Sequence, residues 1–133
     1  MEWGKGEFVI SDERMKIDVD AVHQLLSNTY WASKRSKEDV AKSMKHSIVF
    51  GLYEDSKQIG FARVITDKTV FSWLLDVVID TSYRGKGLGK WLITCILEHP
   101  DIKQTRIGLA TKDAHRFYED FGFKISECMR TDQ

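Results

Sequence analysis

The chain is poor in punctuation and in staples. Its 133 residues include one proline, Pro100, and two cysteines, Cys95 and Cys128, which lie far apart and form no C-x-x-C pair. Such spacing offers neither a disulfide framework nor a cysteine-based metal site, so no metal is expected. It fits reduced thiols in a cytoplasmic protein. No apolar run approaches the ~20 residues of a membrane-spanning helix. The opening "MEWGKGEFVI" has no signal-peptide core. No membrane partner is therefore expected. An excess of either charge is also missing: 20 lysines plus arginines face 20 aspartates plus glutamates, for a net charge of zero. Nucleic-acid-binding domains are usually basic overall, so nucleic acid is not expected as a partner. An anion site would have to arise from local clustering, and acid is absent between Asp80 and Glu98.

Apolar residues make up 42% and charged residues 30% of the chain, which suits one soluble globular domain over residues 1–133. Glu7 to Ile10 reads as a first strand. Val19, Val22, Leu25 and Leu26 mark a helix over Asp18 to Asn28. Ser36 starts a second helix with Asp39 as a capping acid. The connector between them, "TYWASKRS", has no clear period but holds Tyr30, Trp31 and Arg35. Three strands follow, Ser47 to Tyr53, Ile59 to Ile65 and Val70 to Ile79, and their short polar turns imply an antiparallel meander. The third is apolar almost throughout, with Asp76 as its exception. Lys86 to His99 is a deeply packed helix that ends at Pro100. Thr105 to Ala110 reads as a strand. Asp113 caps a short helix through Asp120, Gly122 ends it, and Phe123 to Met129 reads as a last strand. The order gives an α/β sandwich around a mixed sheet.

The turn "YRGKGLGK" joins a buried strand to a helix and places Arg84, Lys86 and Lys90 among Gly85, Gly87 and Gly89. A helix's first turn leaves N–H groups unpaired and carries a positive dipole end. Glycines let an anion approach that backbone closely. The P-loop pattern fails, because Trp91 follows Gly89-Lys90 and Arg84 stands where the first glycine is needed. The dinucleotide fingerprint fails as well, because Lys90 occupies the third glycine's place.

"YRGKGLG" resembles the acetyl-CoA signature [QR]-x-x-G-x-[GA] of the GNAT family of N-acetyltransferases, with Arg84, Gly87 and Gly89 in place. "ATKDAHRFYEDFGF" resembles the family's late motif, with Ala114, Tyr118, Gly122 and Phe123 in register and Thr111 where relatives often have asparagine. The resemblance covers nearly the whole chain. It implies a mixed, mostly antiparallel central sheet flanked by helices on both faces, with acetyl-CoA as co-substrate. It implies that Val77, Val78 and Ile79 pair with the pantetheine arm. The pyrophosphate would lie on the N–H groups of Gly85, Lys86, Gly87, Leu88, Gly89 and Lys90. Thr111 and Ala114 fall beside the cofactor. Tyr118 matches the general acid.

Asp76 divides evenly between a base or substrate role and a structural hydrogen-bonding role. Relatives that use a strand glutamate as base carry it where Leu75 stands. Alternation puts Asp76 on the opposite face unless a bulge re-aims it. Tyr30, Trp31, Arg35 and Trp73 are candidates to line the acceptor pocket, with plain packing as the alternative. The expected reaction is direct transfer to a primary amine of a small molecule or peptide. The rival reading is a non-catalytic acyl-CoA-binding sensor or interaction module. A homodimer is common in the family, though the sequence marks no interface.

Overall fold

A computed structural model describes residues 1–131. Six strands form one sheet in the order β1-β2-β3-β4-β5-β6. β1 (Glu2–Lys5) and β2 (Phe8–Ser11) are a hairpin turned at Gly6, whose φ of 62° lies in the left-handed region that glycine adopts most readily. The sequence suggested a single strand here, because β1 is mostly exposed and carries little apolar pattern. α1 (Val19–Ser27) is capped by the Asp18 carboxylate, which accepts from Ala21 N at 3.1 Å. α2 (Lys37–Met44) is capped by Ser36 Oγ, which accepts from Asp39 N at 3.0 Å. Both caps satisfy amides that the first helical turn leaves free.

The meander follows: β3 (Ile48–Glu54), β4 (Lys57–Thr66) and β5 (Phe71–Ile79), all antiparallel. α3 (Leu88–Glu98) then crosses back to β6 (Arg106–Gly108), which joins β5 in parallel. α4 (His115–Glu119) comes last. The sheet is therefore mixed and mostly antiparallel, as expected.

Two apolar layers hold it. On one face Phe50, Leu52, Ala62, Val64 and Leu74 pack against Leu88, Leu92 and Ile96 of α3. On the other face Val49, Phe61 and Val78 pack against Val22 and Leu26 of α1 and Val40 and Met44 of α2.

Two expectations fail near the end of the chain. Phe123 to Met129 forms no strand; Ile125 and Met129 are 83% and 97% exposed. Its alternating pattern pairs with no strand among the described residues. Asp113 does not cap α4 either. Ala114 is the N-cap, and Thr111 Oγ1 accepts from Ala114 N at 3.0 Å.

Gly51 lies beneath the Tyr53 ring, and an added methyl would press into its hydroxyl end. Tyr53 is buried, and its hydroxyl has no partner among the described residues. Gly51→Ala should therefore destabilise the fold by about 1–3 kcal/mol, the usual cost of overpacking. A denaturant midpoint unchanged in that variant would mean that Tyr53 moves aside freely.

Candidate active site

β5 is hydrogen-bonded on both edges only at its start. β6 pairs with it at Phe71↔Arg106, Ser72↔Ile107 and Trp73↔Gly108, while β4 follows it to Ile79. Beyond Trp73 its outer edge has no strand neighbour among the described residues. Gly108 marks the parting point; a methyl there would come within 2.8 Å of the Trp73 ring.

The inner ladder is interrupted by a bulge. Arg63 opposes Leu75 and Phe61 opposes Val78, so Asp76 and Val77 together face Ala62. Asp76 takes up the bulge with a φ of 57°, a left-handed conformation that L-residues rarely adopt. Asp80 N donates to Ile59 O at 2.8 Å. Strand alternation then aims the polar backbone groups of Val78 at β4. Those of Val77 and Ile79 point toward the open edge.

The bulge also aims the Asp76 side chain to the face that carries Arg63. Its Oδ2 accepts from Arg63 Nε and from Arg35 Nη1, both at 2.7 Å. Its Oδ1 accepts from Trp31 Nε1 at 3.1 Å. Asp76 and Arg63 are 6% and 8% exposed, so this is a buried ion pair. Removing one partner from such a pair costs about 3–5 kcal/mol.

A second set of unpaired groups begins where β5 ends. Gly85 and Gly87 have φ of 81° and 76°. Gly87 is the N-cap of α3 and supplies no capping side chain. The first ladder bond of α3 runs from Trp91 N to Gly87 O at 3.1 Å. The N–H groups of Leu88, Gly89 and Lys90 therefore precede the ladder. Arg84 is exposed beside them.

These two sets share a cavity of about 510 Å³. It runs from Arg84, Gly85, Gly87, Leu88, Gly89 and Lys90, past Val77, Val78 and Ile79, to Ala114 and Tyr118. Tyr30 and Trp31 also border it. The Tyr118 hydroxyl makes no hydrogen bond among the described residues. Burial, with a smaller contribution from Tyr30, pushes its pKa up to about 12.

Five expected site residues, Arg35, Trp73, Asp76, Lys86 and Thr111, lie off the cavity's lining. Lys86 places its Nζ 5.7 Å from the Tyr83 ring centroid. Thr111 is engaged in the turn before α4. Trp73 stacks on Phe71 at 6.3 Å. Asp76 is held by the two arginines and the indole. Val78 lines the cavity but commits its backbone to β4, so it serves as wall. Lining residues not anticipated are Asn28, Thr29, Tyr83, Asp113 and Phe117. Phe117 had a signal in its adjacency to Tyr118. Asn28 and Thr29 had none, because they reach the cavity through the path of the connector.

A mixed sheet that parts beside a glycine-capped helix, with a partly buried tyrosine in the cleft, defines an acetyltransferase fold. The sequence profile of the acetyltransferase (GNAT) domain matches residues 45–125. A solved structure from Xanthomonas campestris pv. campestris, described as an acetyltransferase of the GNAT family, superposes with a TM-score of 0.90. It is 33% identical, over 97% of this chain and 96% of that one. A protein of Gibberella zeae named as an acetyltransferase is 27% identical, over 92% of this chain and 82% of its own length. An N-acetyltransferase of uncharacterised role from the red alga Porphyra purpurea is 31% identical over 80% of this chain, which spans 65% of that relative. The chain belongs to the GNAT family of N-acetyltransferases.

The raised Tyr118 pKa has a spectroscopic consequence. A phenol held near 12 stays protonated well past pH 10. The tyrosinate absorbance lost in Tyr118→Phe should therefore be confined to about pH 11 and above. A difference that develops near pH 9–10 would contradict the desolvated environment.

Proposed function

We propose that the chain, as one domain, moves an acetyl group from acetyl-CoA directly to a primary amine of a small molecule or peptide. The observation that carries this reading is the continuity of two unsatisfied backbone surfaces, the α3 amides and the β5 edge, leading to one protonated phenol. The residues present fit the coenzyme. Glycine-capped amides and Arg84 suit a pyrophosphate, by dipole, close approach and fork-shaped donation. The Val77 and Ile79 backbone suits an amide-bearing arm, and the Val78 side chain gives it an apolar wall. A Val77 N–H aimed at the thioester oxygen would stabilise charge developing there.

Tyr118 holds the proton that the departing thiolate needs. An exposed thiol and an exposed phenol differ by about 1.5 pKa units. Burial pushes the Tyr118 phenol up to about 12, so Tyr118 is protonated when the substrate arrives and can pass its proton to the sulfur as the C–S bond breaks. Cys95 is buried in the α3 core and Cys128 is exposed near the chain's end, so neither suits a covalent acyl carrier.

The amine must lose a proton, at about 4–5 kcal/mol for a lysine-like group at pH 7. Asp76 is committed to three donors and lies off the cavity lining, which favours water as the acceptor of that proton. No helix of the described residues is long and apolar enough to cross a membrane. A cytoplasmic setting and a homodimer belong to the proposal.

Tyr118→Phe should lower kcat by about 10²-fold or more and leave acetyl-CoA affinity within about twofold. Unchanged turnover would remove Tyr118 as the acid. A valine at Gly87 would strain the left-handed turn and crowd the amides. It should abolish acetyl-CoA binding by calorimetry, and retained tight binding would sink the phosphate assignment.

A further inference from the structure

The connector between α1 and α2 is tied down on both sides of the parted strands. On the β5 side, Trp31 Nε1 and Arg35 Nη1 both donate to Asp76, at 3.1 Å and 2.7 Å. On the other side, Lys112 N, in the loop after β6, donates to the Tyr30 hydroxyl at 3.2 Å. The Lys112 ammonium lies 5.5 Å from the centroid of the same ring. Tyr30 and Trp31 contact each other edge to face at 5.1 Å. Both remain about half exposed, at 56% and 44%. Burial therefore does not explain their fixed geometry. Two large exposed aromatic rings are held by polar ties at each end, across the gap that β6 leaves open.

Asp76 is the centre of the stronger tie. Arg63 anchors it to the sheet and also reaches Ser47 Oγ at 3.1 Å, at the start of β3. Ser47 Oγ in turn donates to Ser43 O at 3.0 Å, in α2. The carboxylate thus joins β4, the β5 bulge, the end of α2 and the connector. The Arg63 link is internal to the sheet. The Arg35 and Trp31 links are the ones that reach the connector, so they can be cut while the Asp76–Arg63 pair stays intact.

We propose that Asp76 is a positioning residue that clamps the Tyr30–Trp31 strap over the acceptor end of the cavity and takes no proton in the reaction. This rests on the transfer reading given above. It follows that cutting the strap's ties should be felt by the amine and not by the coenzyme, whose contacts lie on α3 and the β5 edge.

Arg35→Gln, Arg35→Lys and Asp76→Asn separate these roles. Arg35→Gln should raise the KM for the amine about tenfold or more, while the KM for acetyl-CoA stays within about twofold. Arg35→Lys, which keeps a charged donor, should recover part of the loss. Both should retain the wild-type pH profile of kcat/KM. Asp76→Asn, wherever it folds, should keep the acid limb of that profile. In parallel, the indole N–H signal of Trp31, assigned by its loss in Trp31→Phe, should exchange faster with solvent in Arg35→Gln. That readout needs no turnover, so the clamp stays testable if no amine is acetylated. The proposal is overturned if Asp76→Asn abolishes the acid limb, which would make Asp76 the base. It is equally overturned if both KM values rise together, or if Arg35→Gln changes neither the amine KM nor the indole exchange.

Discussion

β5 keeps β4 as a neighbour to Ile79 but loses β6 after Trp73, and the rest of the site follows from that unequal pairing. A strand edge in a cleft holds peptide groups that need partners, and leaving them unpaired is costly. The α3 amides pose the same problem a few residues later, because Gly87 brings no capping side chain. One chain segment, Val77 to Lys90, therefore presents two sets of unpaired backbone groups, at Val77 and Ile79 and at Leu88 to Lys90, along one cavity. An elongated ligand with amides at one end and phosphates at the other answers both.

Holding β5 in that shape has its own demands. A non-glycine residue in the left-handed region costs on the order of 1–3 kcal/mol. Asp76 occupies that position with a buried carboxylate, and the two burdens share one remedy. Arg63, Arg35 and Trp31 satisfy the carboxylate, and by doing so they pin the bulge. Arg63 is on the neighbouring strand and Arg35 and Trp31 are on the connector, so the bulge, the sheet and the cavity's rim are one mechanical unit. The same geometry explains why a lone acid stands in an otherwise apolar strand.

The parts of this structure fixed by local rules were legible in the sequence. Ser36 and Asp18 act as caps, the meander sits within a few residues of its expected bounds, and Arg84 to Lys90 forms a glycine turn at a helix start. The parts fixed by distant partners were not. Phe123 to Met129 has strand-like alternation but no neighbour with which to form a ladder. Asp113 does not cap α4: its N-cap is Ala114, which brings no capping side chain, and Thr111 closes the turn before it. Trp73 was expected at the acceptor pocket but stacks on Phe71 above Gly108, because the point where β6 departs cannot be read from local pattern. Asp76 was ambiguous for the same reason: its orientation depends on a bulge created by pairing with β4, and its partners lie 13 and 41–45 residues away.

The central claim is that the open edge of β5 is the surface that receives the coenzyme. Amide hydrogen exchange at Val77, Val78 and Ile79, with and without acetyl-CoA, tests it most directly. The account predicts slow exchange at Val78 in both states, because its N–H is committed to β4. It predicts fast exchange at Val77 and Ile79 that slows when the coenzyme binds. Val77 and Ile79 amides already protected in the free protein, or left unprotected at saturating acetyl-CoA, would contradict it.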